Sequence, residues 1–163
     1  MSDKHIYTLE TLKRMAKDVK SEGKTVGLTH GAFDLFHVSH LDLLKKASKR
    51  CDFLIVGVDS DANIAKYKSY KRPIIDEEDR LKIISELNCV DGVFINNTNI
   101  NNKDYIQLYK ELGINNIFTG IDFGFRNELE YRCSKVGANY QRIRTKQTHT
   151  TQIIDQILKT YQS

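Results

Sequence analysis

The chain has 163 residues, of which 40% are hydrophobic and 28% charged, and its formal net charge at pH 7 is +4. These values are typical of one soluble globular domain, and the mild positive charge suits an anionic small molecule. No basic run reaches the length of a nucleic-acid-binding tail, no apolar run reaches membrane-spanning length, and no signal peptide is expected. Nucleic acid and membrane are therefore excluded as expected partners.

Cysteine usage indicates a reducing, cytoplasmic setting. Cys51, Cys89 and Cys133 lie far apart and form no C-x-x-C pair. This pattern favours buried thiols over a disulfide framework or a zinc site.

Helix and strand patterns alternate along the chain. The first helix has Thr8 as its cap, an apolar stripe at helical spacing and Gly23 at its end. A polar segment rich in lysine and tyrosine follows the second strand, and residues 96–103 form an asparagine-rich loop. The predicted helices are 8–22, 39–50, 77–87, 103–112, 129–136 and 151–161, and the predicted strands are 25–29, 53–58, 92–95, 117–119 and 140–143.

Five apolar strands separated by helices predict a single α/β domain. We expect a Rossmann-like, doubly wound architecture over residues 1–163, with a mainly parallel five-stranded sheet and residues 1–23 as an N-terminal helical extension. In such sheets ligands bind beyond the carboxyl ends of the strands, at the switch point. The loops at Gly31, Gly120 and Arg144 all follow strands, so we expect them to converge on one crevice.

The segment GAFDLFHVSH, residues 31–40, is the strongest functional signal. It joins a glycine turn to a helix N-terminus, which attracts anions, and it places His37 and His40 one helical turn apart. A lone H-x-x-H pair is more often simple surface or core polarity, but the preceding strand and glycine favour a phosphate site. The first strand is not followed by G-x-G-x-x-G, which argues against an NAD-binding protein.

GAFDLFHVSH resembles the G-x-F-D-x-x-H-x-G-H signature of the cytidylyltransferase-like nucleotidyltransferase family. RTKQTHTT, residues 144–151, is similar to that family's second signature, R-T-x-G-I-S-T-T, and the segment YKSYKRPIIDEEDR between them also matches. The resemblance extends from Lys24 to the C-terminus. Within the family the chain looks most like glycerol-3-phosphate cytidylyltransferases, and next like the adenylyltransferase domain of ADP-heptose synthase.

This resemblance implies transfer of CMP from CTP to a small phosphorylated alcohol or polyol, with release of pyrophosphate. Two alternatives stay open: an adenylyltransferase using ATP and a sugar phosphate such as heptose 1-phosphate, and a non-catalytic nucleotide-binding protein. The resemblance also implies Mg²⁺ bound mainly through nucleotide phosphates, with no protein ligands assigned, and a cytoplasmic homodimer.

The resemblance also assigns roles to residues. Lys66 and Lys68 alone would be read as a solvated face, Arg80 as a surface partner of Asp76, and the threonines before the last helix as caps. Two roles stay open for Asp34: holding its loop and assisting a metal. The implied catalytic residues are His37, His40, Lys66 and Arg144; the implied nucleotide-binding residues are Thr29, His30, Gly31, Ala32, Phe33, Ser39, Gly120, Asp122, Arg144, Thr148, Thr150 and Thr151; the implied acceptor-binding residues are Asp34, Lys68, Arg80 and Arg126.

The chain departs from the family pattern in both signatures. Ser39 replaces the glycine between the histidines, and His149 stands where serine is usual, preceded by Gln147 and Thr148 in place of glycine and isoleucine. We expect the site to survive the Ser39 change with altered contacts, since serine adds only a hydroxyl. The changes at 147–149 bear on the triphosphate contacts.

Overall fold

A parallel sheet forms the centre of the protein in the computed structural model, which describes residues 5–146 and 148–162. The strands are β1 Val26–Gly31, β2 Phe53–Asp59, β3 Gly92–Asn96, β4 Asn116–Gly120 and β5 Asn139–Ile143. Their order in the sheet is β3-β2-β1-β4-β5, and every pairing between them is parallel. The predicted α/β fold is therefore confirmed.

Seven helices are assigned within these described residues, one more than the sequence predicts. The additional helix, α3 (Asp61–Tyr67), follows β2 in the segment that the sequence presents as polar and rich in lysine and tyrosine. Ser60 caps it by accepting a hydrogen bond from the Asn63 amide at 3.3 Å. The helices are α1 Leu9–Ser21, α2 Val38–Ser48, α3 Asp61–Tyr67, α4 Glu77–Ser85, α5 Asn102–Glu111, α6 Arg126–Val136 and α7 Thr150–Tyr161.

Helices cover both faces of the sheet. On one face α1, α5 and α6 bury residues such as Leu12, Tyr109 and Leu129 against the sheet, and on the other α2 and α4 bury Leu44 and Ile84. The apolar runs of β1 and β2 are buried because they are covered on both sides.

The direction of winding reverses between β1 and β4, which are neighbours in the sheet although two strands separate them in sequence. The connections after these two strands leave on opposite faces, so a crevice opens at their carboxyl ends. Gly31 and Gly120 end the two strands at this crevice.

Candidate active site

A cavity of about 470 Å³ occupies the crevice at the carboxyl ends of β1 and β4. All three loops that the sequence predicted to converge contribute to its lining. Arg144 is the only residue predicted to contact the nucleotide that does not line the cavity. The predicted nucleotide-binding residues on the lining are Thr29, His30, Gly31, Ala32, Phe33, Ser39, Gly120, Asp122, Thr148, Thr150 and Thr151.

The two signature histidines stack on each other at the N-terminus of α2. His37 is the N-cap residue and His40 lies in the first turn, with ring centroids 3.8 Å apart and planes inclined by 21°. Phe33 packs edge-on against His40 at 5.4 Å. The Nδ1 atoms of both histidines are buried and have no hydrogen-bond partner in the described part of the chain. Together with the first-turn amides of α2, these imidazoles form a group of polar atoms suited to an oxyanion.

Burial favours the neutral form of both imidazoles in the ligand-free protein. Burial lowers the pKa of His40 to about 3, with further lowering by His37 and Lys68. Burial also lowers the pKa of His37, and the neighbouring His149 adds to this effect. A bound phosphate favours the charged imidazole and so opposes this lowering.

The depressed pKa values of the histidines predict that the protein loses stability as the pH falls below about 6.5. The pKa of His40 is about 3 in the folded chain and about 6.5 in the unfolded chain, so between these pH values the unfolded chain binds more protons. The stability that depends on a neutral His40 is therefore fully present above about pH 6.5 and is lost progressively as the pH falls towards 3. Thermal unfolding of the wild type and a His40→Gln variant at pH 7.5 and 5.0 measures it. A variant with the same change in Tm as the wild type would contradict the prediction.

The N-terminus of α7 borders the same cavity and is joined to the loop after β1. The Thr150 hydroxyl donates to the carbonyl oxygen of Asp34 at 2.9 Å. Thr150 is buried and Thr151 is exposed, and both line the cavity. The N-termini of α2 and α7 therefore border one space, and a chain of phosphates has two helix N-termini available.

His149 and Asp122 are paired with each other on the cavity lining. His149 is the N-cap residue of α7, and its Nδ1 lies 3.2 Å from Oδ2 of Asp122 in the loop after β4. The Asp122 carboxylate also lies over Gly120, where a Cβ atom would come within 2.7 Å of Oδ1. The residue that departs from the family serine therefore lines the cavity itself.

Ser39 connects the two signature segments. Its buried hydroxyl donates to the carbonyl oxygen of Lys146 and accepts from the amide of Thr148 at 2.9 Å. Gln147, which stands where the family's second signature has glycine, lies outside the described residues.

Asp34 holds a neighbouring loop in place. Its buried carboxylate accepts hydrogen bonds from the amides of Ile74 and Ile75 and forms an ion pair with Arg72 at 2.6 Å. Burial alone would raise the pKa of Asp34, but these amides and Arg72 lower it below its usual value. Of the two alternatives left open by the sequence, this geometry supports the holding of a loop.

The backbone around Asp34 is strained. Phe33 and Leu35 have φ angles of 49° and 47°, in the left-handed region that bulky residues rarely adopt. Such strain persists only where the surroundings fix the chain, and the contacts of the Asp34 carboxylate provide that restraint.

The structure places Arg80 beneath the cavity rather than on its lining. Its side chain is 1% exposed, and its guanidinium donates to the carbonyl oxygens of Ala32, Asp59 and Ile75 and to Oδ1 of Asp61. A guanidinium with four protein acceptors is not available to bind a substrate. The geometry supports a positioning role for Arg80 instead of the predicted contact with the acceptor.

The remaining predicted cations differ in position. Lys68 lines the cavity, and burial together with Arg72 lowers its pKa. Lys66, Arg144 and Arg126 are exposed and are not part of the lining. Arg126 is paired with Glu130 at 2.7 Å.

Several lining residues were missed by sequence reasoning, and one of them is Tyr67 at the end of α3. Its hydroxyl donates to Oδ2 of Asp59 at 2.8 Å, and burial raises its pKa. Beside it, His30 stacks on Tyr105 with ring centroids 4.9 Å apart. If α3 had been predicted, Tyr67 would have been placed at its end, directly before the predicted site residue Lys68. The other lining residues that were not predicted are Leu43, Thr119, Phe123, Gly124, Phe125 and Thr145.

The described residues offer little to a metal ion. No group of three or more His, Cys, Asp or Glu side chains among them is arranged to hold one. The Asp34 carboxylate is already occupied, and the Asp122 carboxylate on the cavity lining lies 3.2 Å from Nδ1 of His149. This donor set fits an ion carried mainly by nucleotide phosphates, as is usual for Mg²⁺.

A family model described as "Cytidylyltransferase-like" matches residues 28–156, which include both signature segments. The chain belongs to this family. The resemblance predicted from the motifs is therefore confirmed, and so is the prediction of a nucleotidyltransferase at the level of the family.

Curated relatives carry the name "Bifunctional protein HldE". The protein from Citrifermentans bemidjiense is 32% identical over 164 residues, an alignment covering 98% of this chain and 32% of the relative. That from Geobacter metallireducens is 42% identical over 94 residues, or 58% of this chain and 19% of the relative. The chain thus spans a fifth to a third of the length of these relatives.

Solved structures share the fold. A lipopolysaccharide core biosynthesis protein from Thermoplasma volcanium superposes with a TM-score of 0.63 at 29% identity, covering 78% of this chain and 100% of that protein. Pantoate-beta-alanine ligase from Francisella tularensis gives a TM-score of 0.67 at 14% identity, covering 98% and 78%, and shows likeness of fold alone. Within residues 5–146 and 148–162, none of the helices combines the length and apolar character needed to cross a membrane.

Proposed function

We propose that the chain transfers a nucleoside monophosphate from a nucleoside triphosphate, with ATP as the preferred donor, to a sugar phosphate. The observation that carries nucleotidyl transfer is the stacked pair His37 and His40 at one helix N-terminus, in the same cavity as the N-terminus of α7. The choice of ATP and a sugar phosphate is supported by the HldE relatives, which belong to ADP-heptose synthesis. They favour this alternative over the transfer of CMP to glycerol 3-phosphate.

In the proposed reaction an oxygen of the acceptor's phosphate attacks the α-phosphorus of the nucleotide. The new P–O bond forms as the bond from the α-phosphorus to the bridging oxygen breaks, and the electron pair leaves with pyrophosphate. No covalent enzyme intermediate is required, so the protein acts by positioning and by stabilising charge. His37, His40 and the first-turn amides of α2 would stabilise the α-phosphate and the leaving β-phosphate.

The opposite side of the cavity would hold the rest of the triphosphate. Thr150, Thr151 and the N-terminus of α7 would bind the β- and γ-phosphates. Lys68, on the cavity lining, would contact the acceptor phosphate or the α-phosphate, and its lowered pKa would return towards normal beside an anion.

Lys66, Arg144 and Mg²⁺ have supporting roles in this proposal. Lys66 and Arg144 would reach phosphates only by moving from their exposed positions towards the cavity. Asp122 would help to hold Mg²⁺ brought in with the nucleotide, and the ion would supply positive charge to the phosphates. A homodimer and a cytoplasmic location remain expectations from the family resemblance.

The donor and acceptor are tested by pyrophosphate release with Mg²⁺. We expect ATP with a heptose or hexose 1-phosphate to give release, and CTP with glycerol 3-phosphate to give at least tenfold less. The same nucleotides are tested in a thermal-shift assay without acceptor. Release with CTP and glycerol 3-phosphate alone would overturn the choice of ATP. Protection from heat without release for any pair would favour a non-catalytic nucleotide-binding protein.

A further inference from the structure

We propose that Ser39 is a positioning residue that fixes the start of α7 against the start of α2, so that two phosphate-binding helix N-termini form one preorganised site. The positioning is a property of the ligand-free chain. Its consequence for nucleotide binding rests on the proposed function.

The hydroxyl of Ser39 both donates to and accepts from one loop. Ser39 lies in the first turn of α2 and is 8% exposed. Its Oγ donates to the carbonyl oxygen of Lys146 and accepts from the amide of Thr148 at 2.9 Å, which join positions more than 100 residues apart in sequence. The hydroxyl therefore acts on the loop between β5 and α7.

Two further hydrogen bonds hold the ends of this loop. Lys46 of α2 donates from Nζ to the carbonyl oxygen of Arg144 at 2.9 Å, and Thr150 donates to the carbonyl oxygen of Asp34. Between these ends, Ser39 binds Lys146 and Thr148, and the Asp42 carboxylate of α2 also accepts from the Lys146 amide. The Thr148 amide is shared with the carbonyl oxygen of Lys146 at 2.8 Å. A glycine at position 39, as in the family pattern, supplies no hydroxyl for this connection.

The connection explains how Ser39 acts without touching the nucleotide. Because its hydroxyl is already occupied, replacing it removes a restraint on the loop rather than a contact to phosphate. A loop that must be ordered on binding reduces affinity, and an intramolecular hydrogen bond contributes roughly fivefold to tenfold in an equilibrium constant. We expect Ser39→Ala and Ser39→Gly to weaken binding of the nucleoside triphosphate by about tenfold, with a smaller change in kcat.

Hydrogen exchange in the ligand-free protein tests the positioning directly. Amides in residues 145–150 are expected to exchange at least fivefold faster in Ser39→Ala than in the wild type. Ser48→Ala is the matched control, since the Ser48 hydroxyl donates to the carbonyl oxygen of Lys45 within the last turn of the same helix. Unchanged exchange in both Ser39→Ala and Ser39→Gly would overturn the proposal.

Titration calorimetry with ATP and with CTP, each with Mg²⁺, tests the consequence for binding. Ser39→Thr retains a hydroxyl and is expected to bind within threefold of the wild type, whereas Ser39→Ala and Ser39→Gly lose affinity. If Ser39 had a purely structural role, the variants would lower Tm without this difference in nucleotide affinity between Ser39→Thr and the other two. Faster exchange with unchanged affinity would overturn the preorganising role. If wild-type protein binds neither nucleotide, the proposed function fails, while the exchange experiment still decides the positioning.

Discussion

Replacing His40 with alanine is expected to lower kcat by about 10²-fold or more, with the fold retained. The His40 ring stacks on His37 at the N-terminus of α2 and borders the cavity. Loss of one preorganised group that stabilises developing charge typically costs this much in rate, and little of the loss should fall on nucleotide affinity. Steady-state kinetics with the accepted nucleotide and acceptor measure the effect, and circular dichroism checks the fold.

His37→Ala is expected to have an effect of similar size, because the two rings act on the same group of phosphates. His5→Asn is a suitable control. His5 lies at the outer edge of β3, where its carbonyl oxygen accepts from the Val93 amide, and asparagine tolerates its φ of 62°. Turnover within threefold of the wild type in either His37→Ala or His40→Ala would refute the catalytic assignment.

Strands and helix ends were predictable because local chemistry decides them. The apolar run from Phe53 to Val58 has the pattern of a strand covered on both faces, and it forms β2. Gly23, predicted to end α1, has a φ angle of 75° just beyond that helix, and Gly113, which directly follows the predicted helix 103–112, has a φ angle of 59° just beyond α5. Their sequence signals are local, so no long-range contact was needed to read them.

α3 was missed because its sequence lacks an apolar stripe. Only Asn63 and Ile64 are buried in its seven residues, and the Asn63 amide group donates to the carbonyl oxygens of Asn96 and Thr98. Tertiary hydrogen bonds therefore stabilise this helix more than its own periodicity does. Because α3 was not predicted, its last residue, Tyr67, was also missed as a lining residue of the cavity.

The convergence of the site's loops was predictable from topology, but the partners of individual side chains were not. A strand-loop-helix pattern places Gly31, Gly120 and Arg144 at one edge of the sheet wherever the strands are parallel. It does not reveal that the Ser39 hydroxyl bonds to a loop more than 100 residues away. Nor does it distinguish a charged group that faces the cavity from one that lies beneath it.

Arg80 is the clearest case of a charged group beneath the cavity, and Arg80→Met is expected to lower the free energy of unfolding by about 3 kcal/mol or more. Methionine retains much of the aliphatic stem but removes every donor. The carbonyl oxygens of Ala32, Asp59 and Ile75 would then lose a charged partner in a buried setting. Each such loss typically costs about 1–3 kcal/mol. Urea denaturation followed by circular dichroism measures the change.

Arg126→Met is the matched control for Arg80→Met, because Arg126 is the other arginine that was predicted to bind the acceptor. Arg126 is exposed and pairs with Glu130 in adjacent turns of α6, with side chains 57% and 47% exposed. Exposed pairs of this kind contribute little, so the free energy of unfolding should change by no more than about 0.5 kcal/mol. If Arg80→Met were equally mild in stability but raised KM for the acceptor, Arg80 would be a substrate-binding residue. A large loss of stability would instead establish that Arg80 holds together the loops on which the site is built.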